Sequence, residues 1–158
     1  MGEYTREEIL KLIKDNGGSE GIDLSGKDLW GIYLSNTNLQ GAKLLDANLR
    51  KASLLDVNLQ KAILLGADLR KANLLGANLQ EADLTGANLR KATLMGVDFQ
   101  EAHLVGTNLQ KASLQGADLT KADLQGADLC KVRYDKATIW PKGFTPPLEA
   151  VDLDAEIG

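Results

Sequence analysis

Aromatic side chains are scarce in this chain: two Trp, three Tyr and two Phe make up 4% of its 158 residues. Globular cores lean on rings for packing, so a sequence that is still 44% hydrophobic must fill its interior with something more regular. Cys130 stands alone, which excludes a disulfide framework. No apolar run approaches the roughly 18 residues of a transmembrane helix. The opening MGEYTREEIL carries acids and lacks the cationic start and long apolar centre of a signal peptide, so a cytoplasmic location is expected. Myristoylation at Gly2 would want Ser or Thr at position 6, where Arg6 stands.

Catalytic signatures are missing as well. The chain has no phosphate-binding glycine loop, no Ser-His-Asp arrangement and no CxxC pair, and His103 is its only histidine. Neither enzyme activity nor a cofactor is expected. With 25% charged residues and a net charge of −4, the composition fits one soluble domain.

What the chain has is a repeat. From Leu24 to Ile139 a large apolar residue returns every five residues; 21 of those 24 positions are Leu, the exceptions being Phe99, Tyr134 and Ile139. The position two before is Ala in 16 of the 24 units, and the unit reads A-[D/N]-L-x-x. Five fits neither ordinary element. On an α-helix five residues rotate by about 500°, spreading the leucines over every side. On a strand, residues five apart point to opposite faces. The chain must therefore turn once per pentad, with each Leu and its preceding Ala facing one shared axis.

A slower period sets the size of the coil. The residue after the Leu is Arg at 50, 70 and 90 and Gln at 60, 80 and 100, so surface identity recurs every twenty residues and four pentads make one coil. Residues 22–141 then hold about six coils, stacked over roughly 29 Å at the ~4.8 Å spacing of paired strands. The second residue after the Leu alternates between Gly (66, 76, 86, 96) and a long side chain (Lys71, Glu81, Lys91, Glu101). Glycine at the third residue of a turn suggests type II, which needs positive φ there, and two turn types are expected to alternate.

This tandem A-[D/N]-L-x-x, as in ADLRK at 67–71 and ANLQE at 77–81, resembles the pentapeptide-repeat proteins over about three quarters of the chain. The resemblance implies a right-handed quadrilateral β-helix, an all-β solenoid with Leu and Ala inward, often plugged by an N-terminal helix. It also implies two functional backgrounds: inhibitors or protectors of DNA gyrase that mimic DNA, and many bacterial, especially cyanobacterial, members without an assigned role.

Three segments follow: a capping helix and linker over 1–21, the β-helix over 22–141, and a C-terminal cap with an acidic tail over 142–158. Thr5-Arg6-Glu7-Glu8 fits a capping box, Ile9, Leu10, Leu12 and Ile13 follow, and Asn16-Gly17-Gly18 stops the helix. The first coil is irregular, with Lys27 at an inward position and Trp30 and Tyr33 nearby. At the other end Tyr134, Ile139, Trp140-Pro141, Phe144 and Pro146-Pro147 should cover the last coil. The tail holds a pentad-like VDLDA out of register, since Leu153 follows Ile139 by fourteen residues. A frayed or loosely docked tail is expected; the alternatives are docking on another chain or the start of a truncated larger protein.

Sorting the surface by coil yields the candidate sites. The face of Leu49, Leu69, Leu89, Leu109 and Leu129 carries Arg50, Lys51, Arg70, Lys71, Arg90, Lys91, Lys111 and Lys131 against Asp68 and Asp128, a net of +6. A cationic ladder repels itself and suits an anionic partner: phosphate, an acidic protein or an acidic membrane surface. Copying of a duplicated twenty-residue unit accounts for the same ladder without a partner. Leu45, Leu65 and Val105 on one flank and Leu55, Leu75 and Met95 on the other form exposed apolar columns, suited to a partner or a second copy. His103 stands between Asp83 and Asp123, one coil either way, an arrangement expected to be an electrostatic ladder rather than a metal site. Cys130 should point outward and be inert.

The expected function is a non-catalytic protein-interaction or regulatory scaffold, its partner another protein of acidic character. Homo-oligomers through the apolar columns or the C-terminal end fit the same surfaces. The alternative is the gyrase-directed DNA mimic, which needs an anionic column, whereas residues 22–141 carry fourteen basic and thirteen acidic residues. No loop interrupts the pentads either, as happens in some resistance proteins of that family. Direct binding of an anionic surface or nucleic acid through the basic face comes third, lacking aromatic platforms and a groove-reading element.

Overall fold

The computed structural model describes residues 2–155. It opens with helix α1, Arg6–Asp15. The Thr5 hydroxyl accepts the Glu8 N–H at 3.3 Å, and the Glu8 carboxylate accepts the Thr5 N–H at 2.7 Å, so two orphan donors are satisfied reciprocally. The helix stops where the Gly17 and Gly18 N–H groups bond back to Lys14 and Ile13, both glycines at positive φ.

From Ile22 the chain winds in coils of twenty residues. Parallel bridges join the residue before each inward Leu to its counterpart one coil on, from Asp23 with Lys43 to Ser113 with Arg133. Four bridges per coil define four faces, and six coils stack into a quadrilateral β-helix. Leu24 to Leu129 fill the axis, Phe99 taking one slot, and nearly all residues two places earlier are buried beside them. At ~1.5–3 kcal/mol for each buried Leu, this stack is the main stabilising term.

Following the backbone hydrogen bonds of one pentad explains the rest of the motif. Leu49 N–H donates to Asp68 O at 2.8 Å, Lys51 N–H to Arg70 O at 3.0 Å, and Ser53 N–H to Ile32 O at 2.8 Å. Ala52 N–H closes the corner on Leu49 O at 3.0 Å. One donor is left over, the Arg50 N–H, and Asn48 Oδ1 accepts it at 3.3 Å. The same bond recurs from Arg70 to Asp68, Gln80 to Asn78, Arg90 to Asn88 and Gln100 to Asp98. Asp or Asn precedes the Leu because its short acceptor reaches the N–H two residues ahead. That role is absent from the sequence reasoning above.

The corners correct an expectation. Instead of two alternating turn types, every corner from Gly21 to Lys131 has positive φ at its third residue, whether glycine (Gly66, 65°; Gly86, 68°) or not (Lys71, 60°; Glu81, 56°; Lys91, 60°). Each corner must close the same 4→1 bond and still send its N–H to the coil above, so all four corners bend alike. A left-handed backbone costs an L-residue about 1–2 kcal/mol, of which glycine's own entropic cost offsets roughly half. Lys91→Gly should therefore raise stability by on the order of 0.5 kcal/mol in urea unfolding; a loss of that size would mean that these corners carry no strain.

The N-terminal end is sealed. Gly2 N–H and Glu3 N–H bond Trp30 O and Asp28 O, and Arg6 Nη1 reaches Tyr33 O at 3.0 Å and Ser35 O at 3.2 Å, so the first coil's open carbonyls find donors. Ile9 is fully buried against the Leu stack and Ile13 packs beside it, whereas Leu10 and Leu12 stay exposed. The Lys27 amine leaves the tube to meet Tyr4 Oη at 2.9 Å.

At the C-terminal end the inward pattern fails to reach Ile139. Asp118 pairs with Ile139, one residue more than a coil, because an extra residue enters the turn after Tyr134. The Asp135 side chain holds that turn by accepting the N–H groups of Ala137, Thr138 and Gly116. Thr138 then occupies the slot expected of Ala137, its hydroxyl donating to Leu114 O at 3.0 Å. Ile139 turns outward at 51% exposure, and Trp140 stands where it was expected, packed edge-on to Tyr134 and stacked on Phe144. Rather than fraying, the tail pairs: β1, Arg133–Tyr134, and β2, Val151–Asp152, form a parallel two-stranded sheet. Among the described residues no helix is long and apolar enough to cross a membrane.

Candidate functional site

The two residues after each Leu form the corners, so the cations expected on one face stand on an edge. Arg50, Arg70 and Arg90 run up one side of it and Lys51, Lys71, Lys91, Lys111 and Lys131 up the other, a convex ridge between the faces of Leu49 and Leu54. The lysines and Arg90 are exposed, while Arg50 and Arg70 are half-buried.

Asp68 organises the arginines. Its carboxylate accepts Arg70 Nε at 2.8 Å and Nη2 at 2.6 Å, also accepts the Arg70 N–H, and lies 3.9 Å from Arg50 Nε. Burial opposes its ionisation, but the hydrogen bonds and charges of Arg70 and Arg50 outweigh that and hold it below the ordinary carboxylate range. The signal was legible: Asp68 reads D-L-R where 48–50 and 88–90 read N-L-R. Asp128, the other acid of this face, is taken up by the Cys130 N–H and by Gln110 Nε2 at 2.6 Å. Among the described residues Arg90, Lys71, Lys91, Lys111 and Lys131 join no ion pair. Trp30, noted above only as part of the irregular first coil, heads the arginine column, with Lys51 Nζ 5.2 Å from its ring centre.

The opposite corner is an internal control. It has the same backbone and the same positive φ, yet its column runs Lys61, Glu81, Glu101, Lys121, with Lys61 3.8 Å from Glu81 and Lys121 3.0 Å from Glu101. Corner geometry thus accepts either sign of charge, and an all-lysine column is not something the turn requires.

The apolar columns occupy the two remaining corners, on either side of the ridge. Leu45, Leu75 and Met95 are exposed, and Leu55, Leu65 and Val105 are half-buried. His103 bridges Asp83 and Asp123 through the backbone, while those carboxylates accept the N–H groups of Thr85 and Gln125. No group of three His, Cys, Asp or Glu able to hold a metal occurs among the described residues. Cys130 is half-buried on the ridge face.

The family model for pentapeptide repeats matches residues 20–54, 52–90, 62–100 and 98–133. Among solved structures, the chain is similar to HetL, a pentapeptide repeat protein involved in heterocyst differentiation regulation in the cyanobacterium Nostoc sp. strain PCC 7120. The two are 28% identical over 88% of this chain and 78% of HetL, with a TM-score of 0.57. Rfr23 from the cyanobacterium Cyanothece 51142 is 29% identical over 83% and 96% of the two chains, TM-score 0.55. A pentapeptide repeat protein of the Arabidopsis thaliana thylakoid lumen is 31% identical over 75% and 68%, TM-score 0.52. No curated protein sequence matches the chain.

Proposed function

We propose that this chain, which belongs to the pentapeptide-repeat family, is a non-catalytic cytoplasmic scaffold that holds an acidic protein partner against its cationic ridge. The observation that carries the reading is the unbroken lysine column, set beside a corner of identical backbone whose charges compensate one another. Like charges ~5 Å apart cost about 0.8 kcal/mol even in bulk water, so stability alone gives no reason to stack them. The apolar corners beside the ridge give a protein partner contact area that charge does not supply. On this reading residues 22–141 present the faces and the flanking segments 1–21 and 142–158 seal them. A DNA mimic would need the opposite sign along this edge.

The test is capture from native lysate by the wild type and by the triple variant Lys71→Gln, Lys91→Gln, Lys111→Gln. The variant should be as stable as the wild type or slightly more so, because no ion pair is lost, and should release the captured acidic protein at much lower salt. The charge-matched variant Lys43→Gln, Lys61→Gln, Lys121→Gln should retain it. Equal capture by all three proteins would overturn the reading.

A further inference from the structure

Between the two columns of the ridge lies a slot of about 180 Å³ lined by Arg50, Lys51, Arg70, Lys71, Arg90 and Lys91 and by no other residue. We infer that this slot is a binding site for a linear oligophosphate, a chain of three or more condensed phosphate groups lying along the solenoid axis. The inference rests on the ridge being an anion-binding surface and adds the chemistry of a second ligand.

Three features select that chemistry. First, the lining is cationic without exception: guanidinium forks, which match phosphate oxygens two at a time, line one wall and ammonium groups the other. Second, the cations recur at the ~4.8 Å step of the coils, whereas same-side carboxylates of an extended peptide recur at about 6.7 Å and lose register within two coils. A condensed phosphate chain carries oxyanions on every unit and leaves no cation opposite a gap. Third, the site is partly ordered before a ligand arrives. Asp68 fixes Arg70 and lies beside Arg50, and the Trp30 ring holds Lys51, so less side-chain freedom is lost on binding. Asp68 also competes for the guanidiniums that would bind phosphate.

Titration at constant ionic strength with orthophosphate, tripolyphosphate, long-chain polyphosphate and ATP tests this. Trp30 emission serves as reporter, because a ligand that draws Lys51 off the ring perturbs it. Tripolyphosphate should bind at least tenfold tighter than orthophosphate. Lys71→Gln with Arg90→Gln should weaken it tenfold or more, and Lys43→Gln with Lys61→Gln less than twofold. Polyphosphate at or above the affinity of tripolyphosphate, with ATP weaker, assigns an inorganic chain; ATP tighter than tripolyphosphate assigns a nucleotide's phosphates. If tripolyphosphate binds no better than orthophosphate, or both double variants lose it equally, the inference is wrong. The protein-partner reading survives that result if capture from lysate still depends on the ridge lysines, and it falls separately if capture does not.

Discussion

Leu79→Asp should unfold the protein or lower its stability by at least about 5 kcal/mol. Leu79 is fully buried in the third coil, stacked between Leu59 and Phe99 in its column. Losing the side chain forfeits roughly 2–3 kcal/mol of burial, and a carboxylate in its place finds no polar partner along an axis built of Leu and Ala. The position in the stack magnifies the loss. A solenoid's stability is a sum of terms between neighbouring coils, and a middle coil contributes two of them. Urea unfolding followed by circular dichroism measures the effect; a midpoint within the error of the wild type would place Leu79 outside the core.

Removing residues 1–18 should drive the protein into end-to-end associated species larger than those of the full chain. The segment supplies the donors of Gly2, Glu3 and Arg6 to the first coil's carbonyls and covers the end of the Leu stack with Ile9 and Ile13. Without it the coil presents an open strand edge around Leu24 and Leu29, a template for pairing with another chain. Sedimentation velocity of the truncated protein should show larger species growing with concentration. A monomer with unchanged melting behaviour would mean that the helix is dispensable.

The coils and the inward Leu and Ala were legible in the sequence because a five-residue beat admits no other packing, and the capping helix because Thr5 and Glu8 form a capping box ahead of an apolar run. The corners were not. Lysine and glutamate at positive φ run against their own preferences, and the reason they sit there, a hydrogen bond to the coil above, involves a residue about twenty positions away. The Asp or Asn before each Leu was visible as a pattern but not as a cause until the leftover N–H was found. At the C-terminal end the period itself misled. Ile139 keeps the five-residue count, yet a single extra residue, held by Asp135 and accepted because Thr138 can enter an Ala slot, hands the inward place to Trp140. The cations were identified from the twenty-residue period, and Asp68 stood out beside them as D-L-R among N-L-R units, while their standing on an edge and the bidentate grip of Asp68 on Arg70 needed coordinates.

That extra residue after Tyr134 is a dislocation in a one-dimensional crystal. Inside the column every coil offers its neighbour a face like its own, and nothing in such a lattice specifies where growth stops. A stack ending in perfect register would expose one more growth face, on which identical units could add without limit, as in a fibre. By displacing one strand out of step and laying a ring cluster over the gap, the chain makes this layer unlike the coils before it, so that side offers an identical unit no matching register.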